Sequence, residues 1–118
     1  MEPQDTITIA PSVLITVARQ AAIDVKGIAR MGTIPIDVTH LLKGNPMGSG
    51  VVLELESNQV SLELYLIVKP GVNMRDISRE VQRSVTRSIQ ELVGMEVLKV
   101  NVHIEDVDFT PDGKPETL

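Results

Sequence analysis

The 118-residue sequence contains no cysteine and no tryptophan, and it has only one tyrosine and one phenylalanine. The absence of cysteine excludes disulfide bonds, thiolate chemistry and cysteine-based zinc sites. Two aromatic residues are too few for the stacking platforms that hold single-stranded nucleic acid. Apolar residues make up 42% of the chain, which is too many for a disordered protein. The length therefore indicates one aliphatic domain that can fold without covalent crosslinks.

The formal net charge of −5 is concentrated at the two ends of the chain. Residues 1–10 carry −2 and residues 103–118 carry −4, which leaves residues 11–102 at +1. The low isoelectric point therefore argues little against an anionic partner for the body of the protein. The chain has neither the basic start of a secretory signal nor an apolar run long enough to span a membrane. We expect a cytoplasmic protein that reaches the inner face of the membrane only through its surface or a partner.

Hydrophobic periodicity predicts two helices and four strands. The helices are expected over about 11–25 and 74–93, and the strands over 6–9, 51–56, 60–68 and 98–105. Residues 27–50 lack a clear period, although 37–43 could form a short helix. This pattern predicts an α+β fold, a two-layer sandwich in the order β-α-β-β-α-β. Two main helices would cover one face of a mixed sheet of three to four strands. We predict a flexible N-terminus (1–5), one domain (6–109) and a disordered acidic tail (110–118).

One face of the predicted sheet is more apolar than a solvated face needs to be. If the alternating apolar residues of strand 60–68 face the helices, the opposite face presents Val52, Tyr65, Ile67 and Val97. Either residues 27–50 or another protein chain would cover these side chains. We therefore predict this face as a candidate surface for oligomerisation or for a partner.

Four arginines, Arg75, Arg79, Arg83 and Arg87, recur every fourth residue along the second long helix. Successive members advance about 40° around a helix, so they form a slanting ridge. One interpretation is an anion-binding surface for phosphate, lipid headgroups or an acidic partner. The alternative is a solvated face balanced by Asp76, Glu80 and Glu91.

Other motifs do not support a catalytic, metal-binding or cofactor-binding site. His103 and Glu105 share a strand face, but no third metal ligand is evident nearby. The glycine-rich segment 44–50 lacks the Lys-Ser/Thr ending of a phosphate-binding loop. No two glycines stand three apart, so the GxxG loop of KH-type RNA modules is missing. We therefore expect no enzyme, no metal site and no cofactor, and these observations count against a nucleic-acid partner.

Several segments resemble the bacterial alkaline-shock, envelope-stress-response protein family. They are Ile7–Pro11, Ala21-Ala22, Val25–Met31, Leu64–Val68, Glu80–Gln82 with Val85, and Val100–Val107. Their order and spacing extend the resemblance over about residues 6–108. Lys69-Pro70 and the arginine-rich second helix depart from the family pattern.

The resemblance implies a non-enzymatic cytoplasmic protein linked to cell-envelope homeostasis. Members of that family can self-associate and can be held near the membrane by a small partner. The resemblance therefore implies a homo-oligomer and a membrane-anchored protein partner. The alternative function is an anion-binding module that uses the arginine ridge on nucleic acid or anionic lipid.

Overall fold

A computed structural model describes residues 6–35 and 50–110, which contain two α-helices and four strands. The helices are α1 (Pro11–Ile23) and α2 (Met74–Ser88), and the strands are β1 (Ile28–Met31), β2 (Val51–Glu56), β3 (Gln59–Val68) and β4 (Glu96–Val107). A π-helical turn over Ile89–Val93 extends α2. The predicted α+β class is confirmed.

Strand β3 is the centre of a mixed sheet. It runs antiparallel to β1 and β2 and parallel to β4. The Tyr65 N–H donates to the Gly50 carbonyl (2.8 Å), and the Tyr65 carbonyl accepts from the Gly32 N–H (2.6 Å). The N–H and C=O of one strand residue point to the same edge. Strands β1 and β2 therefore share one edge of β3, end to end, and β4 takes the other.

Both helices pack on the same face of this sheet. That face presents alternate residues of β3, each 0% exposed: Val60, Leu62, Leu64, Leu66 and Val68. They form one apolar cluster with Leu14 and Ala18 of α1 and Val81 of α2. The small residues of α1 let α2 approach closely, and the Ser84 hydroxyl donates to the Ala21 carbonyl (3.0 Å). The cluster thus lies between a helical layer and the sheet.

The ends of α2 follow from local sequence. The Asn73 side chain accepts a hydrogen bond from the Asp76 N–H (3.0 Å), so Asn73 caps the N-terminus of α2. The π-helical turn ends at Gly94, whose φ of +80° suits a residue without a side chain. This turn changes the helical period, so Leu92 is 75% exposed. A strict helical period would place Leu92 in the buried stripe of Ile77, Val81, Val85 and Ile89, and the turn removes it from that stripe.

Two strand predictions need correction. Residues 6–10 form no strand, and Ile7 is 88% exposed. These residues pair with none of the four strands and all are exposed, so their alternation buries no face before Pro11 begins α1. Strand β1 instead lies in the stretch predicted as irregular, so the described order is α-β-β-β-α-β. The predicted flexible N-terminus (1–5), the possible helix (37–43) and tail residues 111–118 lie outside the described residues.

Candidate functional site

The four arginines of the predicted ridge all lie exposed on α2. Each stands two residues from a member of the buried stripe, which is about 200° around the helix. The ridge therefore occupies the side of α2 that faces away from the core. At its N-terminal end, Arg75 and Arg79 border a groove toward Val102 and Ile104 of β4. At its other end, Arg83 and Arg87 lie toward Val25, just after α1.

Positive charge is in excess along this ridge. Of the four ridge arginines, only Arg79 has a carboxylate of a described residue within salt-bridge distance, at 3.9 Å from Asp76. Both side chains are more than half exposed, and such a pair stabilises a protein by about 0–1 kcal/mol. Glu80 and Glu91 form no ion pair with the ridge within this described part of the chain. The predicted balancing by neighbouring acids is therefore present only at Arg79.

The sheet face opposite the helices differs from its prediction in the position of Val97 and in the burial of Tyr65. Val52, Tyr65 and Ile67 lie on it, as their registers with β3 and β4 require. Val97, however, pairs with Val60 and packs against the helix-side cluster. The register shifts between Val60 and Ser61, where Leu98 is the extra residue of β4, so simple alternation assigned Val97 to the wrong face.

Tyr65 is buried, at 5% exposure, rather than presented to solvent. Its ring stacks on the His103 ring with centroids 4.5 Å apart and planes 12° apart. His103 Nε2 lies 2.6 Å from Glu63 Oε1. Glu105 accepts a hydrogen bond from the Thr33 N–H (2.8 Å), which ties the chain after β1 to this face. These polar groups cover the only tyrosine of the chain.

His103 and Glu105 thus make separate contacts with Glu63 and Thr33. Within residues 6–35 and 50–110, no three His, Cys, Asp or Glu side chains are grouped so as to hold a metal ion. Sequence reasoning missed Glu63 as the partner of His103. The cross-strand register could have found it. It pairs His103 with Tyr65, and Glu63 lies two residues before Tyr65 on the same face of β3.

The environment of Tyr65 predicts an unusual titration. Burial, then the charges of Glu63 and Glu105, raise the pKa of Tyr65 above its ordinary value of 10.0. We expect the phenolate absorbance of the intact protein to rise with a midpoint above pH 10.0. Because the unfolded chain ionises first, the stability conferred by the neutral phenol is present below about pH 10 and is lost above it.

A Tyr65→Phe variant provides the control, since it cannot ionise and should show a smaller loss of stability above pH 10.0. Glu63→Gln should lower the midpoint, whereas Glu54→Gln should leave it unchanged. A midpoint at or below pH 10.0 in the folded protein would contradict this environment.

The same sheet face carries a patch of carboxylates that sequence reasoning also missed. Pairing across the sheet places Glu54, Glu56, Glu63 and Glu96 on it, and we call these four residues the acidic face. The basic residue Lys99 pairs with Ser61 and so lies on the same side of the sheet as these carboxylates. The alternation within β2 already placed Glu54 and Glu56 on the side of Val52. The contributions of β3 and β4 depend on the register.

None of the helices in the described parts of the chain is long and apolar enough to cross a membrane.

The fold resembles the C-terminal domain of MamM. One such structure matches with a TM-score of 0.51 at 12% identity, covering 82% of this chain and 99% of that domain. The zinc form of a MamM variant matches with the same TM-score at 13% identity, covering 90% of this chain and 96% of that domain. At this identity the likeness concerns the fold alone.

Sequence comparison identifies relatives of similar length. The uncharacterized Bacillus subtilis protein YloU is 29% identical over 107 residues, covering 88% of this chain and 89% of YloU. The uncharacterized YqhY of the same organism is 26% identical over 114 residues, covering 92% and 84%. The family model of alkaline shock protein 23, described by a cell envelope-related function, matches residues 1–109. The resemblance predicted from the sequence is confirmed, and the chain belongs to the alkaline shock protein 23 family.

Proposed function

We propose that this protein is a non-enzymatic scaffolding protein of the cell envelope. It acts at the cytoplasmic face of the membrane by self-association and by docking to a membrane-associated partner. The family description supports the envelope role. The observation that carries the docking mechanism is the open edge of β4.

Strand β4 is twelve residues long and pairs with β3 along one side. Among the described residues, no strand pairs with its other side. Register shifts at Leu98 and Glu105 leave Lys99–Ile104 as the regular part of this edge. An open strand edge presents backbone N–H and C=O groups that can pair with an added strand. The Gln82 amide donates to the Val100 carbonyl (3.0 Å), so Asn101–Ile104 is the part of this edge that we assign to a short extended segment.

The groove beside this edge indicates the chemistry of the segment. Its lining includes the apolar side chains of Met74, Val102 and Ile104, with Arg75 and Arg79 among its basic residues. Met74 is 46% exposed, so apolar surface is available there. An extended segment with aliphatic residues and a carboxylate fits this combination. We assign that segment to the cytoplasmic part of a membrane-associated protein.

Binding to membrane vesicles from native cells tests docking, and light scattering tests self-association. We expect the full chain to co-sediment with native vesicles, but not with protease-treated vesicles or with vesicles of pure lipid. Leu98→Lys places a charge beside the open edge and should reduce binding by about tenfold. We expect the purified protein to be oligomeric at high concentration.

Leu55→Lys is the matched control, because Leu55 is 42% exposed on β2 and Leu98 is 51% exposed on β4. It should bind native vesicles like the unaltered chain. A strict monomer that does not bind native vesicles would rule out the proposed function. Equal binding to protease-treated vesicles would show that the chain binds lipid rather than a membrane-associated protein.

A further inference from the structure

Positive charge is in excess along the arginine ridge, and negative charge is in excess on the acidic face. The arginine ridge lies on the side of α2 away from the core, and the acidic face lies on the side of the sheet away from the helices. These surfaces belong to opposite layers, so they cannot meet within one copy of the chain. They can meet between two copies.

The spacing of the two sets of charges is similar. Along α2, Arg79, Arg83 and Arg87 are about 6 Å apart, since each residue rises about 1.5 Å. On the sheet, Glu56 and Glu54 are two residues apart along β2. Glu63 of β3 pairs with Val52, which is two residues further along β2. Each such step is about 7 Å along a strand. Three successive arginines can therefore face three successive carboxylates.

Several of these charges are available for such a contact. Arg83 and Arg87 form no ion pair with any described residue, and neither do Glu54 and Glu56. All four are exposed. Glu63 already contacts His103, and the Gln59 amide donates to Glu96 (2.9 Å). The strongest complementarity therefore joins the C-terminal half of the ridge to the β2 part of the acidic face.

We propose that α2 of one copy docks across the acidic face of a second copy, head to tail. This inference rests on the self-association in the proposed function and assigns a surface to it. Because the two surfaces differ, a docked pair leaves one ridge on one copy and one acidic face on the other unused. Such a heterologous contact extends to further copies unless its rotation closes a ring. Exposed ion pairs are individually weak and screened by salt, so association rises steeply with concentration and falls with ionic strength.

Complementary charge reversals test the proposal. The ridge variant is Arg83→Glu with Arg87→Glu, and the face variant is Glu54→Lys with Glu56→Lys. Each alone should associate about tenfold more weakly by light scattering, because attraction is replaced by repulsion between like charges. In a 1:1 mixture every ridge meets a face of opposite charge, so association should return toward that of the unaltered chain. Circular dichroism checks that both variants remain folded.

The matched control is Arg19→Glu with Lys69→Glu, two exposed residues outside both surfaces, and it should associate like the unaltered chain. Raising the ionic strength from about 0.1 M to about 1 M shortens the Debye length from about 10 Å to about 3 Å and should also weaken association.

The mixture separates this contact from other uses of the ridge. Association of the ridge variant at the unaltered level would overturn the inference while leaving the proposed function in place. A mixture that stays as weakly associated as its components would also overturn it. A ridge variant that loses binding to anionic phosphatidylglycerol vesicles, but keeps self-association, would assign the ridge to lipid instead. An unaltered chain that remains monomeric would remove this inference together with the self-association part of the proposed function.

Discussion

Replacing Leu64 with alanine lowers the free energy of unfolding by about 3–5 kcal/mol. Leu64 is 0% exposed at the middle of the central strand, so truncation removes apolar contacts and leaves a cavity. It pairs with Val51 on one side and with Val102 on the other, which limits how far the neighbours can collapse. Urea unfolding at 25 °C, followed by circular dichroism, measures the change.

Leu92→Ala is the control for this prediction. A strict helical period places Leu92 in the buried stripe of α2, whereas the π-helical turn leaves it 75% exposed. Its truncation should change the free energy of unfolding by no more than about 0.5 kcal/mol. A cost for Leu92→Ala equal to that for Leu64→Ala would show that the turn does not displace this residue.

Replacing Gly27 with alanine lowers the free energy of unfolding by about 2–5 kcal/mol, from backbone strain and overpacking together. Gly27 has a φ of +105°, a backbone conformation that strains a residue with a side chain. An added Cβ would lie 2.6 Å from Ile77 Cδ1 and 2.9 Å from Val72 Cγ1, so these side chains or the backbone at Gly27 must shift. The Gly27 carbonyl also accepts from the Lys69 N–H (2.8 Å), which restricts its movement.

Gly71→Ala separates the two causes. Gly71 has a φ of +86°, but nothing lies within 4 Å of an added Cβ. Its substitution should therefore cost only the backbone strain, about 1 kcal/mol. Thermal or urea unfolding of both variants gives the difference. An equal loss of unfolding free energy in the two variants would show that Ile77 and Val72 add no steric cost at Gly27.

The hairpin of β2 and β3 was predictable because its signals are local. Two alternating strands flank a short turn, and Ser57 in that turn adopts a φ of +56°. The N-cap at Asn73 was also readable, since a cap depends on residues three positions apart. Strand β1 was missed because four residues are too few to show a period, and its pairing with β3 depends on residues far along the chain.

The candidate surfaces were predictable in part for the same physical reason. A helix period fixes the ridge from sequence alone, whereas the acidic face depends on the pairing of three strands. The bulge at Leu98 moves Val97 to the helix side, and nothing in the sequence marks it. Tyr65 was assigned to the correct face by alternation. Its burial depends on His103, whose position follows from the register of β4.

The shared edge of β3 gives one residue of the central strand two partners. Gly32 and Gly50 both bond to the backbone of Tyr65, so this residue fixes both the end of β1 and the start of β2. Two stretches that are far apart in the sequence therefore depend on the same backbone position. Loosening the central strand at Tyr65 would release both of them at once.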